Sequence, residues 1–293
     1  MRLMLGLTAL CLLVVLATAA VAQDAALGTP NLKSPNALTK SDFRATIDWR
    51  YWDGSNDTLT GTVEYGLMEK LSLGAGYVDF ANEGVAPIGG AVRASDLSGP
   101  AVWAKWVGRP VDAENDQWGW SIVPGVEILD IEGTNTAIGA SAGDTETVFT
   151  LEVPIGIPDG DVLWMVDTKL AVFPDTEPVT GPIGIGLPAT VDSFGTVVGL
   201  GLGVVAPIGT GGHWHVYGDV TPILTGDNSI DPATNGLTIQ LPWTAGFRRS
   251  VGLGKESYVD VFATNCSGGT TASSLIATPD GTVGYGVRAS VTW

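Results

Sequence analysis

The stretch Thr60–Tyr77 constrains this chain more than any other, because its side chains change chemistry at every step. Val63, Tyr65 and Leu67 point one way, while Thr62, Glu64 and Gly66 point the other. After the polar break Met68-Glu69-Lys70 the alternation resumes, with Leu71, Leu73, Ala75 and Tyr77 set against Ser72, Gly74 and Gly76. A period of two interrupted by a turn is a β-hairpin. One face is apolar and aromatic and the other small or polar, so each face meets a different environment.

The N-terminus supplies an address. Arg2 precedes the apolar block Leu5–Leu16 and a small-residue run ending Ala22-Gln23. This pattern predicts a secretory signal peptide over 1–22, cleaved after Ala22. The apolar block is shorter than the ~20 residues of a spanning helix, which argues against the alternative of an uncleaved anchor. Cys11 lies inside that block, so no lipid anchor is expected. Cys266 is the other cysteine, and a single thiol outside the signal excludes a disulfide framework or a cysteine-based metal cluster. The net charge is −17, and removing 1–22, which holds Arg2 and no acid, takes it to −18. Nucleic acid is therefore no partner, since phosphate contacts need Lys and Arg.

Beyond the signal no apolar run reaches the length of a membrane helix, and no long segment keeps a 3.6-residue period free of Gly and Pro. An exported, apolar, helix-poor chain must bury its surface in a sandwich, a solenoid or lipid. Residues 23–42 are polar and proline-bearing and predict a loose periplasmic lead-in. From 43 to 293 the chain breaks into about a dozen alternating runs near the ~9–11 residues of a tilted membrane strand. They fall near 43–52, 58–67, 70–79, 100–108, 117–128, 146–155, 162–173, 195–206, 213–223, 236–248, 257–265 and 283–293. The connections alternate between short and long, with long ones at 80–99, 129–145, 174–194, 224–235 and 266–282. An up-and-down barrel with tight periplasmic turns and long exterior loops has that rhythm; a sandwich has no reason to keep its long loops at one end. Pro124 and Pro242 fall inside runs and predict bulges there.

The last run, Gly284-Tyr-Gly-Val-Arg-Ala-Ser-Val-Thr-Trp293, is apolar at every second residue and ends the chain on an aromatic. Here the chain resembles the bacterial outer-membrane β-barrel superfamily, including small porin-like and putative transporter barrels. That resemblance implies an outer-membrane location and recognition of the strand ending at Trp293 by the barrel-assembly machinery. It also implies contact with outer-membrane lipid and lipopolysaccharide. Aromatics beside the turns (Trp49, Tyr51, Tyr65, Trp106, Trp118, Trp164, Trp214, Trp293) suit interfacial belts. The expected fold is all-β: an up-and-down antiparallel transmembrane barrel of about twelve strands.

The inward face carries six cations, Arg44, Arg50, Lys105, Lys169, Arg248 and Arg288, and seven anions, Asp48, Glu64, Glu127, Glu152, Asp167, Asp219 and Asp260. Such a set either lines a wet pore and fixes its selectivity or pairs into a network that plugs a narrow barrel. The first option gives a passive channel or small-solute transporter; the second gives a closed structural or surface-interaction barrel. His213 and His215, two apart on one strand face, are the only histidines. They are weak metal candidates, and any outer-membrane lipid hydrolase built on this chain needs one of them. No metal, cofactor or catalytic set is expected. Gly201-Leu-Gly203-Val-Val-Ala206 satisfies a dinucleotide pattern only formally, because Pro207 and a turn follow instead of a helix. The strand-eight glycines instead predict room for bulky side chains opposite, and Cys266 predicts a lone exterior-loop thiol.

Overall fold

A computed structural model describes residues 28–52, 57–81, 96–135, 140–174, 194–209, 213–231, 236–278 and 281–293. The signal peptide expected at 1–22 and most of the loops expected at 80–99 and 174–194 lie outside these residues.

Twelve strands form the wall: β1 (Phe43–Tyr51), β2 (Thr58–Met68), β3 (Leu71–Ala81), β4 (Asp96–Arg109), β5 (Gly119–Asn135), β6 (Ala140–Asp159), β7 (Val162–Val172), β8 (Thr196–Ile208), β9 (Trp214–Val220), β13 (Trp243–Ser250), β14 (Glu256–Thr264) and β15 (Gly284–Thr292). Three short pieces lie between β9 and β13: β10 (Ile223–Thr225), β11 (Ser229–Asp231) and β12 (Gly236–Thr238). Every wall strand pairs antiparallel with its neighbours, β8 pairs β9, and β1 pairs β15 to close the ring. The closing seam is continuous from Arg44↔Thr292 to Tyr51↔Tyr285. Closure is what the alternating sequence needs, because it pairs every ladder and leaves no edge in oil.

The ring turns its apolar set outward. Ile47, Val102, Phe149 and Val261 are each more than half exposed at mid-wall. Aromatics mark both rims. On the rim that holds the chain's C-terminus, Phe43 stacks on Trp293 at 5.9 Å and Trp106 meets Trp120 edge-on at 5.6 Å. Arg109 and Arg249 lie over Trp118 and Trp214 at 4.9 and 5.2 Å, keeping their charges at the interface. Trp49 and Tyr51 lie at the opposite rim with Tyr285. Ile47→Arg, at the middle of this oil-facing surface, is expected to destabilise the lipid-inserted barrel by about 2–4 kcal/mol, read as a lowered urea midpoint in vesicles.

The short turns gather at the terminal end and the longer connections at the other, as the alternating loop lengths implied. Several boundaries move. The loop expected at 129–145 is mostly strand, since β5 runs to Asn135 and β6 starts at Ala140. The run at 236–248 splits, with β12 pairing β11 in a separate hairpin and only β13 joining the wall. Pro242 consequently lies outside the wall strands. Pro124 makes no bulge: the β4–β5 ladder skips Ala104 and Lys105 opposite it, then resumes in the same register at Trp106↔Ile122. The missing donor costs one rung on one side, while Pro124↔Leu151 holds the other side. The actual irregularity falls between Val107 and Arg109.

Two segments fill the interior. Residues 28–38, expected as a loose periplasmic lead-in, are instead largely buried inside the ring, with Leu32 at 1 % exposure and Asn31 at 4 %. The β14–β15 connection folds inward from the other end and carries α1 (Thr271–Leu275), the one α-helix among the described residues. Its helix is capped by a reciprocal Thr270–Ser273 box. Leu275, Ile276 and Ala272 pack against Trp52, Phe80, Leu129, Phe173 and Val197, forming an apolar collar at the loop end. A second apolar cluster surrounds Leu32 with Leu163, Met165, Val205, Tyr217 and Phe262.

Candidate functional site: an occupied lumen

Between these apolar layers lies a polar belt where the two inserted segments meet the wall. The N-terminal strap makes a tight turn at its tip, with Thr29 N–H donating to Leu32 O at 3.0 Å and Leu32 N–H to Thr29 Oγ1 at 3.0 Å. Both flanks of that turn head toward the terminal mouth. On one side Arg248 donates to Gly28 O at 2.7 Å, near the terminal end of β13. On the other, Val111 N–H donates to Asn36 Oδ1 at 2.8 Å in the β4–β5 turn.

The strap tip is held almost entirely by wall side chains of the belt. Asp219 accepts from Thr29 Oγ1 at 2.5 Å and from Asn31 Nδ2 at 3.1 Å. Arg288 donates to Thr29 O at 2.8 Å, and Lys33 pairs with Glu152 at 2.9 Å. Lys169 bridges the two inserted segments, donating to Asn31 O and to Ser274 Oγ, the latter at 2.8 Å. Glu127 clamps the start of α1, accepting from Thr270 Oγ1 at 2.7 Å and from Ala272 N–H at 2.8 Å.

All thirteen inward residues read from the sequence face the interior, and the structure groups them. Asp48 and Arg50 form a bidentate pair at 2.9–3.0 Å, and Arg50 also donates to Cys266 O at 2.7 Å. Asp260 accepts from both Arg248 and Arg288 at 2.8 Å, with all three side chains buried. Lys105 meets Glu64 at 3.3 Å, and Arg44 reaches Glu256 at 2.8 Å near the terminal mouth. Asp167 is fully buried, in the electrostatic reach of Lys169 and Lys33. Six cations against seven anions become even once the strap contributes Lys33.

Four features of the lumen were not read from the alternation. The strap residues Thr29, Asn31, Leu32 and Lys33 and the helix residues Thr270 and Ser274 complete the belt, although both segments lack any strand period. The strand-eight glycines do make room for bulky side chains, but those belong to the inserted segments. A Cβ at Gly201 or Gly203 would come within 2.4 or 2.7 Å of Leu32, and one at Gly199 within 2.7 Å of Leu275. Cys266 is not an exterior thiol. It is fully buried under Asn31, whose Nδ2 lies 2.9 Å from its sulfur, and burial pushes the thiol pKa up. His213 sits exposed on the terminal-end turn, while His215 is buried opposite Arg248 with Nδ1 making no hydrogen bond. Among the described residues no cluster of three or more His, Cys, Asp or Glu is placed to hold a metal.

A closed antiparallel ring with an oil-facing exterior, aromatic rims and a polar interior is a transmembrane β-barrel of the outer-membrane kind. No protein-family model matches the chain, and no curated protein sequence matches it. Among solved structures it is similar to the translocator domain of autotransporter NalP from Neisseria meningitidis, at 13% identity and TM-score 0.49, covering 86% of this chain and 87% of that one. It is also similar to the β-domain of the Bordetella autotransporter BrkA (14% identity, TM-score 0.43, 85% and 96% covered). A third likeness is to the Pseudomonas putida toluene transporter TodX (9% identity, TM-score 0.38, 94% and 94% covered). The class assigned here rests on the ring itself.

Proposed function

We propose that the protein is a small-solute conduit of the outer membrane that is shut at rest by its strap and its inward-folded loop. The observation that carries this reading is the chemistry of the strap's seat. Around the tip, Leu32 apart, the contacts are ion pairs and hydrogen bonds, which water can replace when the strap leaves, while Pro30, Pro35 and Leu38 are also buried. A plug meant to be permanent is better served by apolar packing, since buried ion pairs add little net stability over hydrophobic side chains of the same volume. The thirteen inward residues, Arg44 through Arg288, then serve two states: they seat the strap when the barrel is shut and line a mixed-charge passage when it is open.

The test is conductance in planar bilayers. Full-length protein is expected to be mostly silent with brief steps, and a variant lacking residues 28–38 and with the inserted loop 268–276 replaced by a short polar linker is expected to give steady steps. Silence from this emptied barrel when folded, checked by heat-modifiable gel mobility, sinks the conduit and leaves the closed structural barrel. One observation favours that second reading: the apolar collar around Leu275 and Ile276 seals the loop end without help from the strap. We assign no catalytic role to His213 or His215. We further assign the terminal turns to the periplasm, the long loops to the lipopolysaccharide side, and the strand ending at the exposed Trp293 to recognition by the barrel-assembly machinery.

A further inference from the structure

The inserted segments border a cavity of about 100 Å³ in the belt, between strap residues Thr29–Ser34, the loop residues Gly269 and Thr270, and the inner faces of β1, β2, β4, β6, β14 and β15. A cavity of 150 Å³ holds benzene, so this one encloses about four heavy atoms, and its open side leaves room for about two more. Its floor is the Trp103 indole. That ring lies against β3 only because position 74 is glycine: a Cβ there would sit 2.1 Å from the indole. Beside it runs a row of hydroxyls from Thr46, Thr60 and Thr62. Thr46 is bonded to Ser290 and Thr60 to Gly269, whereas the Thr62 hydroxyl and the Tyr258 hydroxyl have no hydrogen-bond partner among the described residues.

Each ionic side chain that lines the cavity already has a counter-charge, although Glu152 Oε2 and Arg288 Nη2 make no hydrogen bond among the described residues. Arg44 is met by Glu256, Asp48 by Arg50, Lys105 by Glu64, Lys33 by Glu152 and Arg288 by Asp260, all within 3.3 Å. A charged solute would shed its water here without finding an unpaired counter-charge, which is costly. A neutral polyhydroxylated solute loses nothing of that kind: the open hydroxyls exchange bonds with its own, and its C–H face rests on the indole. Arg44 and Glu64 line the cavity and retain 13% and 12% side-chain exposure, so the site communicates with the terminal mouth.

We propose that this cavity is a binding site for a small neutral polyol. The proposal rests on the conduit reading for its purpose but not for its test. Saturation-transfer NMR on the folded full-length protein in detergent would compare glycerol with serinol, a cation of the same six heavy atoms, and with glycerate, an anion one heavy atom larger. Glycerol is expected to bind, and both charged analogues at least about fivefold more weakly. Thr62→Val, which keeps shape and removes one hydroxyl, is expected to weaken glycerol about fivefold. Gly74→Ala, which pushes the indole into the cavity, is expected to abolish binding. Equal binding of glycerate or serinol, or full glycerol binding by Thr62→Val and by Gly74→Ala, overturns the site; should Gly74→Ala not fold, Thr62→Val decides alone. Swelling, in glycerol, of liposomes that hold the barrel emptied of its strap and inserted loop separates the two proposals. Binding without swelling keeps the site and removes the conduit, and swelling without binding does the reverse.

Discussion

Gly201→Val is expected to expel the strap while leaving the wall intact. Valine suits a strand, its branched side chain packing well on a pleated surface, so β8 itself gains nothing harmful. The inner face at this position, however, is the socket for Leu32, with the added Cβ only 2.4 Å from Leu32 Cδ2 and fixed to rigid backbone. Leu32 must change rotamer, and because the γ-methyls of valine fill the rest of its packed socket, it is expected to leave, giving up about 1.5–3 kcal/mol of burial. The tip cannot leave piecemeal, because Asn31 next to it carries the contacts to Asp219, Lys169 and Cys266. The readout is therefore the Cys266 thiol. In the wild-type barrel it is buried and is expected to ignore a membrane-impermeant maleimide; in Gly201→Val it is expected to react readily. A folded Gly201→Val barrel with an inert Cys266 would mean that the glycine socket does not hold the strap. Leu32→Ala approaches the same state from the strap's side and should raise reactivity in the same direction.

Asp260→Ala is expected to have the largest effect on stability. Asp260 is the shared acceptor of Arg248 and Arg288, and all three are buried. Removing it takes from two buried guanidinium groups the carboxylate they share, and breaking a buried pair in this way costs about 3–5 kcal/mol. The same two arginines hold the carbonyls of Gly28 and Thr29, so their rearrangement also loosens the strap. The expected result is a lowered urea midpoint in detergent together with increased Cys266 labelling. By contrast, loss of the Lys255–Asp42 pair, whose lysine is 61% exposed at the terminal rim, should stay within about 1 kcal/mol. Similar midpoints for Asp260→Ala and Asp42→Ala would show that the belt triad is not what anchors the interior.

The two outcomes bear on how the sequence encodes this protein. Phe43, Ile47 and Tyr51 face oil, and Asp48 and Arg50 face inward, because residue parity alone assigns faces once a strand forms. The same parity turns all thirteen charges to the face opposite the oily set, and the run of short and long connections separates the two ends of the ring. These features are local, repeating every second residue or every second turn, so a single chain displays them without any partner.

The contents of the lumen are not local. Thr29 is joined to Arg288 across 259 positions, Gly28 to Arg248 across 220 and Lys169 to Asn31 across 138. The strap and the loop around α1 are polar, small and aperiodic, which in sequence reads as solvated connection. Only when the ring sets Gly201 and Gly203 opposite Leu32, and Glu127 opposite Thr270, do those segments acquire a burial site. Sequence alone determined that a ring with an oily outside and a charged inside would form. Tertiary structure decided that the inside would be filled by the strap and the β14–β15 connection, because which segments match a cavity in shape and charge depends on walls that exist only after closure.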